Sequence, residues 1–450
     1  MTIVRDRPRP VAPTWWAELF PAAARQPVTA RNVGLGVLAV IAGAALSLGR
    51  IGGPGPFDSI WAEDAQDFLT DALTKPGAQA VFTPLNGYFV IGPRLLAEVA
   101  SAFPVAWAPA VLSTEAALVT ALVALGVYVA GGGYLRHPLS RLLLSVPVVV
   151  APVAENHFAT CANNLATGQF VALYGLFWLL LWVPGSRAGT VTAVTAVGLI
   201  AVSTLLAAVF LPLALVRLWA RRDRGALVMS GLMVLGAALH LAALALGLTV
   251  RPPATATPIP AVASGYAGWA VPHEVLGYRW LDPPPVTSGI AASPIHHWYQ
   301  PVAVLVAWLI AALALGSALS RVTRPLWTVA VPAAFLSAVL LVVEIASSGV
   351  QERYAIAPGL LLVAALVAVL QPGAGRTGLT PLTCYGLVLA VVLCVNYRGD
   401  SWRTLGPSWR DRLAVAVTQC RTNPAQSRVD VPTSPGALGW RVEVPCVRLR

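Results

Sequence analysis

The stretch IWAEDAQDFLTDALTKPGAQAVFTPLNGYFVIGPR, residues 60–94, follows the first long apolar segment of the chain. It contains four acids in a protein that has only 11% charged residues, namely Glu63, Asp64, Asp67 and Asp71. At helical spacing, a helix over residues 62–74 would group the apolar side chains on one side and the acids on the other. We therefore predict a short amphipathic helix that lies along a membrane surface, with its acids facing solvent.

The composition excludes an ordinary soluble domain, since 57% of the residues are hydrophobic and the mean hydropathy is +0.72. Apolar runs long enough to cross a bilayer core of ~30 Å recur along the chain. We predict about eleven spans, each uncertain by a few residues, at roughly residues 32–49, 104–130, 140–155, 166–183, 190–205, 208–221, 226–250, 301–319, 325–346, 355–371 and 379–397. Because three of these are short, residues 190–220 could instead form one kinked helix plus a re-entrant piece.

The charges orient the spans. Arginines crowd the first ~30 residues and the short loops predicted to be cytoplasmic, as the positive-inside rule requires. Few basic residues remain for the predicted outer loops: Arg50, Lys75, Arg94, Arg251, Arg279 and Arg353. The net charge of +11 is thus a topology signal and not a nucleic-acid signature.

The predicted fold is an all-α polytopic membrane protein with juxtamembrane helices in the first outer loop and a small α+β C-terminal tail. Residues 1–31 would be cytoplasmic, residues 32–397 would form the transmembrane domain with outer loops 51–103 and 251–300, and residues 398–450 would lie outside. We expect a multi-pass protein of the plasma membrane, in contact with membrane lipids.

Two further elements are predicted. A second juxtamembrane helix runs over residues 88–102, with Arg94 on its polar side. The tail has a helix that starts at a Ser408 N-cap and a strand-like run, VEVPCVRL. In an oxidising outer compartment Cys420 and Cys446 would form a disulfide, and the alternative is two free thiols.

Glu63 and Asp64 are the first candidates for chemistry. An acid pair directly after a span could act as a general base. Nearby lipid and a second carboxylate would raise the pKa of one member toward neutrality. The competing interpretation is a solvated helix N-terminus, where acids are common.

Other candidates lie in the predicted outer loops. Arg94 and Arg353 suit an anionic ligand such as a phosphate, or they extend to lipid headgroups. Tyr354, next to Arg353, is a third candidate for binding the donor phosphate. The candidates for substrate binding are Asn86, Tyr88, Glu155, Asn156, His296 and His297. The amides suit a hydroxyl-rich acceptor, although helix–helix hydrogen bonds also explain them. The adjacent histidines lack an evident third ligand, so we predict no metal and no cofactor; a divalent metal stays possible without support.

Several familiar motifs are absent: G-x-x-x-x-G-K-[ST], G-x-G-x-x-G after a strand, and H-E-x-x-H. Nucleotide hydrolysis and zincin chemistry therefore have no support. With no nucleotide-sugar fold either, a sugar donor would have to arrive through the lipid.

Three segments carry a family resemblance: WAEDAQDFL, NGYFVIGPRLLAEVASAFP and ERY. They resemble bacterial members of the GT-C superfamily of membrane glycosyltransferases, related to actinobacterial mannosyl- and arabinosyltransferases. The resemblance implies a polyprenyl-phosphate-linked sugar as donor, with Asp64, or less so Glu63, as the base that deprotonates the acceptor hydroxyl. Arg353, with Arg94, would hold the donor phosphate.

The acceptor would be an envelope glycan or lipid, which the tail could bind. This chain departs from better-known members because it lacks a large outer carbohydrate-binding domain, and metal use varies among them. Two rival functions remain. A transporter or lipid flippase would need charges along a midplane pathway, for which Glu115 is the strong candidate. A non-catalytic scaffold would not need Asp64.

Overall fold

The computed structural model describes residues 15–21, 29–152, 162–249, 259–281, 299–322, 325–348, 352–371, 381–399 and 401–450. Within these residues the protein is a bundle of helices with one two-stranded sheet near its C-terminus. The α-helices are α1 (Trp15–Leu19), α2 (Ala30–Leu48), α3 (Thr70–Thr74), α4 (Gly77–Phe82), α5 (Ile91–Ser101), α6 (Ala108–Gly131), α7 (Pro138–Val149), α8 (Leu165–Leu181), α9 (Arg187–Ser203), α10 (Leu211–Arg221), α11 (Arg224–Ala245), α12 (Ile259–Gly265), α13 (Val271–Leu276), α14 (Gln300–Arg321), α15 (Trp327–Ser348), α16 (Ile356–Leu370), α17 (Pro381–Val395) and α18 (Trp409–Thr422).

Each of the predicted spans corresponds to a helix, and the chain is a multi-pass helical membrane protein. Among the described residues, six helical segments are long and apolar enough to cross a membrane by themselves: Ala30–Leu48, Val105–Gly131, Arg224–Ala245, Gln300–Arg321, Trp327–Ala346 and Arg353–Leu370. In the same part of the chain, the shorter apolar helices are α7, α8, α9 and α17. Between α9 and α10, Thr204 is extended and a 3₁₀ turn follows at Leu205–Phe210, so the alternative of one kinked helix through residues 190–220 is wrong.

The centre of the bundle is formed by α8 and α16, whose residues are buried almost all round. A helix that is apolar on every face belongs inside, packed by other helices. Helix α8 contacts α6, α9 and α16, and α16 also contacts α15 and α7. The exposed apolar side chains lie on outer helices such as α2, α11 and α14, where lipid would cover them.

The chain after α2 differs from the prediction. In place of one amphipathic helix over residues 62–74, a π-helix at Asp64–Leu69 runs directly into α3. The acids do not form a solvated face, because the side chains of Asp64 and Asp71 are buried. The second predicted helix is α5, and Arg94 on it is buried instead of facing solvent.

The C-terminal tail packs against this segment and covers part of it. It holds α18, which has the predicted Ser408 N-cap, followed by β1 (Arg428–Pro432) and β2 (Arg441–Pro445) in antiparallel pairing. Cys420 and Cys446 form a disulfide that joins the end of α18 to the end of β2. Val429, Val431, Val442 and Val444 on the strands share one hydrophobic core with Ala65, Phe68 and Leu69.

Hydrogen bonds also join the tail to the first loop. The Asp58 carboxylate accepts from the Ser408 hydroxyl and the Arg410 amide, and the Ala62 amide donates to the Ser434 carbonyl at 2.6 Å. Residues 51–104 and 401–450 therefore form one layer, called the cap below. It covers the end of the bundle at which α6 and α8 begin, called the cap end.

Candidate active site

Asp64 lies at the boundary between the cap and the bundle. Its two carboxylate oxygens accept hydrogen bonds from the amides of Leu165, at 2.7 Å, and Ala166, at 2.9 Å. These amides are the first of α8, whose N-cap is Asn164. The positive end of the helix dipole thus faces the carboxylate. Burial nevertheless raises the pKa of Asp64 to about 7, with the two amides and Arg403 acting in the opposite direction.

Arg403 is a buried residue of the tail that sequence reasoning missed. Its guanidinium donates to the Ser59 hydroxyl and carbonyl, the Asn163 carbonyl at 2.8 Å and the Ser113 hydroxyl at 2.8 Å. It therefore links both parts of the cap to α6 and to the segment before α8. Nothing in its local sequence separates it from the other arginines of the tail, so no sequence signal marked it.

Glu63 pairs with Arg353, which lies in the turn before α16. The two residues are 290 positions apart, and the Arg353 Nη1 lies 3.3 Å from the Glu63 Oε1. The Glu63 side chain is 16% exposed, and its Oε2 is buried with no hydrogen-bond partner among the described residues. An ion pair of this length between partly exposed groups is weak.

A cavity of about 200 Å³ lies beside this pair. Tyr354, the neighbour of Arg353, lines it together with Tyr88, and the Arg353 guanidinium lies 5.7 Å from the Tyr354 ring. The described residues that line the cavity are Tyr88, Phe170, Thr204, Leu205, Leu206, Ala208, Val209, Val343, Glu344 and Tyr354. The walls are thus mainly apolar, with a few polar groups among them.

Tyr88 is positioned by a tight turn. Leu85 and Tyr88 exchange both backbone hydrogen bonds across Asn86 and Gly87, which have φ of 48° and 97°. Positive φ at both central residues defines a type I′ turn, for which Asn-Gly is the preferred sequence. The Asn86 side chain is exposed, while the Tyr88 hydroxyl accepts a hydrogen bond from Gln169 at 3.3 Å.

His240 on α11 supports the same turn from the bundle. Its Nδ1 accepts a hydrogen bond from the Phe89 amide at 3.2 Å, and its Nε2 lies 3.1 Å from the Ala201 carbonyl. This pattern fits a neutral imidazole that donates from Nε2. The buried His240 is a second residue that sequence reasoning missed, because its partners come from distant segments.

Arg94 has contacts within the cap. Its Nη1 donates to the Asp71 carboxylate at 2.7 Å and to the Ala80 carbonyl at 3.0 Å, and its guanidinium lies 5.3 Å from the Phe68 ring. The side chain is buried. The structure therefore brings Glu63, Arg353, Tyr354 and Tyr88 together, whereas Arg94 binds a different acid.

Two other acids border the site. Burial and the neighbouring Glu63 raise the pKa of Asp67 to about 6, although Arg94 opposes the shift. Glu115 lies on α6 only seven positions after Ala108, about 10 Å along the helix from its start at the cap end. It is thus about 7 Å from the centre of α6 and nearer to it than to the start of the helix, so it stays the candidate for the midplane charge that a transporter would need.

The remaining predicted site residues cannot be placed. Glu155, Asn156, His296 and His297 lie outside the described residues. In the part of the chain that the structure describes, no three His, Cys, Asp or Glu side chains are grouped so that they could hold a metal ion.

The chain was compared with protein families, curated proteins and solved structures. No protein-family model matches the chain, and no curated protein matches it. Among solved structures, the chain resembles ArnT from Cupriavidus metallidurans bound to undecaprenyl phosphate, with 14% identity and a TM-score of 0.38 over 89% of this chain. The chain covers 65% of the length of that protein. At this identity and score the likeness carries no argument about activity.

Proposed function

We propose that the protein is a membrane glycosyltransferase of the GT-C type, which moves a sugar from a polyprenyl-phosphate donor to a hydroxyl of an envelope glycan or lipid. The observation that carries the proposal is the ion pair of Glu63 and Arg353 beside the cavity lined by Tyr88 and Tyr354. A carboxylate supplies a base, a guanidinium supplies a phosphate ligand, and phenols supply hydroxyl recognition.

The transfer has defined chemical requirements. The acceptor oxygen bonds to the anomeric carbon of the sugar while the bond from that carbon to the phosphate oxygen breaks. The acceptor proton passes to a carboxylate, and the lipid phosphate leaves with the bonding electron pair. A guanidinium beside the phosphate stabilises the charge that develops on it.

The contacts favour Glu63 as the base and Asp64 as the residue that positions it. Both oxygens of Asp64 are engaged by backbone amides of α8. The Glu63 Oε2, in contrast, has no hydrogen-bond partner within the described part of the chain. A buried acceptor without a donor is costly, and an acceptor hydroxyl would satisfy it. The family resemblance implies Asp64 as the base, so this proposal reverses the order within the pair.

Arg353 would exchange partners when the donor binds. Its ion pair with Glu63 is 3.3 Å long and partly exposed, whereas a phosphate offers two oxygens in the geometry that a guanidinium matches. Transfer of Arg353 from Glu63 to the phosphate would release Glu63 when the donor is in place. Arg94 is buried and pairs with Asp71 at 2.7 Å, and we assign it to positioning the loop.

The lipid character of the donor is supported by the walls of the cavity. Leu205, Leu206, Val209 and Val343 line it, at the edge of the helical bundle. An apolar wall beside an arginine suits a ligand that combines a hydrocarbon chain with a phosphate.

The test uses cells that lack the chromosomal copy of the gene and express the full chain or a variant. Glu63→Gln keeps the shape of the side chain and removes the base, and removal of a general base lowers a rate by roughly 10²-fold or more. We expect lipid-linked sugar to accumulate and the product glycan to be lost, at normal protein level. Arg353→Gln should have the same effect.

The matched control is Lys75→Gln, which changes one charge in the same loop where Lys75 pairs with Asp71. It should leave glycan and lipid-linked sugar as in the parent. If Glu63→Gln restores wild-type glycan at normal protein level, the enzyme proposal is wrong.

A further inference from the structure

A second cavity, of about 380 Å³, lies at the cap end and has no part in the proposed reaction. Three arginines from distant parts of the chain line it: Arg50 after α2, Arg279 after α13, and Arg398 after α17. The other described lining residues are Gly52, Gly53, Gly399, Thr404 and Leu405. The described lining is therefore basic and includes no acid.

The arginines are held in place by backbone carbonyls. Arg50 donates from Nε to Tyr397 and from Nη2 to Ala151. Arg398 donates from Nε to the Gly49 carbonyl at 2.8 Å. The carbonyl of Arg398 itself accepts from the Arg279 Nη2 at 2.9 Å. A carbonyl orients a guanidinium without neutralising it, so the guanidinium groups of Arg279 and Arg398 are preorganised beside Arg50.

Two of these arginines have no compensating acid in the described part of the chain. The salt bridges of the described residues include neither Arg279 nor Arg398, and both side chains are exposed. Like charges that share a cavity raise its electrostatic potential and attract an anion. Two of the three arginines are also among the few basic residues that the charge pattern assigns to outer loops.

The cavity lies where the bundle meets the cap. Arg50 follows the end of α2 by two residues, and Arg398 follows the end of α17 by three. Exposed apolar side chains adjoin it, including Leu405 at 73%, Leu46 at 50% and Trp280 at 47%. A basic cavity at a helix end, beside exposed apolar surface, matches the depth and chemistry of a lipid headgroup.

We propose that Arg50, Arg279 and Arg398 form a second phosphate-binding site, separate from the reaction site. Its ligand is a phosphate group, either in the headgroup of an anionic phospholipid or as free phosphate. Guanidinium groups pair phosphate oxygens bidentately, and a phosphate has enough oxygens to bind more than one arginine of the same cavity.

The test measures binding to the full chain in neutral detergent by calorimetry, without sugar transfer, so its result does not depend on the proposed reaction. The ligands are dihexanoyl phosphatidylglycerol, dihexanoyl phosphatidylcholine and inorganic phosphate. The variant is Arg279→Gln with Arg398→Gln. The matched control is Arg410→Gln with Arg412→Gln, which removes the same charge from exposed positions on α18.

We expect phosphatidylglycerol to bind the wild type more tightly than phosphatidylcholine, and salt to weaken the binding. The double variant should raise the Kd at least tenfold, and the control should change it less than twofold. Phosphatidylglycerol binding without phosphate binding identifies a lipid headgroup as the source. Phosphate binding that competes with the lipid shows that a free phosphate suffices.

Equal binding by the double variant and the wild type overturns the proposal, as does equal affinity for the two lipids or the absence of binding. Variants are compared only if their unfolding temperature without ligand equals that of the wild type. If the double variant fails this condition, the exposed Arg279→Gln alone is used, with Arg410→Gln as its control.

Discussion

Arg94 donates a 2.7 Å hydrogen bond to Asp71 inside the cap, and both residues are buried. The ion pair joins α5 to α3, the helix that continues from the π-helix carrying Asp64. A carboxylate this buried needs a permanent cation, because desolvation of an unpaired charge is costly. Arg94 therefore stabilises the segment that carries Glu63 and Asp64.

Replacement of this arginine should therefore act on stability. We expect Arg94→Met to cost about 3–5 kcal/mol, since it leaves Asp71 buried without its main partner. Thermal unfolding in detergent measures the loss, and Arg94→Met with Asp71→Leu should recover part of it. Lys75→Met removes the second, more exposed partner of Asp71 and should cost about 1 kcal/mol or less. If Arg94→Met instead folds normally and weakens donor binding, Arg94 holds the donor phosphate as the resemblance implies.

The raised pKa of Asp67 predicts that the stability of the protein depends on pH. Its folded pKa of about 6 lies above the ordinary value of 3.8, so the folded protein binds the proton more tightly than the unfolded chain. The contribution to stability is fully present below about pH 4 and is lost as the pH rises through 6. Asp67→Asn should raise the unfolding temperature relative to wild type at pH 7 and have a smaller effect at pH 4.

The control for this experiment is Asp430→Asn, an exposed acid on β1. Its effect on the unfolding temperature should be the same at pH 4 and pH 7. A wild-type advantage over Asp67→Asn that grows from pH 4 to 7 would contradict the assignment.

Two substitutions in the Asn86-Gly87 turn distinguish its backbone conformation from a binding role of the Asn86 side chain. Gly87→Ala places a side chain at φ 97° and should cost about 1–2 kcal/mol. Asn86→Gly keeps the turn and removes an exposed amide. If this amide binds the acceptor, KM for the acceptor should rise about threefold to tenfold, the value of one hydrogen bond, with kcat and stability unchanged. An unchanged KM would show that Asn86 serves only the turn.

The disulfide should stabilise the first loop as well as the tail. Its cysteines are 26 positions apart, and removal of a cross-link of this size costs about 3 kcal/mol. We expect Cys420→Ser with Cys446→Ser to lower the unfolding temperature and to increase hydrogen exchange at residues 60–69, which share the core of the cap. Cys384→Ser, which changes an exposed free cysteine, is the control. Increased exchange restricted to residues 401–450 would show that the two parts of the cap unfold independently.

The sequence predicted the elements whose signals are local. A span is recognised within its own run of apolar residues, and each predicted span corresponds to a helix. The Ser408 N-cap and the strand at VEVP were also recognisable, because a cap and an alternating pattern need only a few neighbours.

The predictions that failed concern surfaces covered by distant residues. The acids of residues 62–74 were expected in solvent because their local pattern is amphipathic, but the tail and the start of α8 cover them. Arg94 was expected on a polar face for the same reason. Local periodicity identifies which side chains share a face, and it contains no information about what packs against that face.

The residues alone were enough to identify a helical membrane protein, to locate its spans, and to show that its acids gather after the first span. The contacts of Glu63 with Arg353, of Asp64 with the first amides of α8, and of Arg403 with both the cap and the bundle became visible in the folded protein alone. Burial in a bilayer is a property of each segment, whereas an ion pair between residues 290 positions apart depends on how the segments pack.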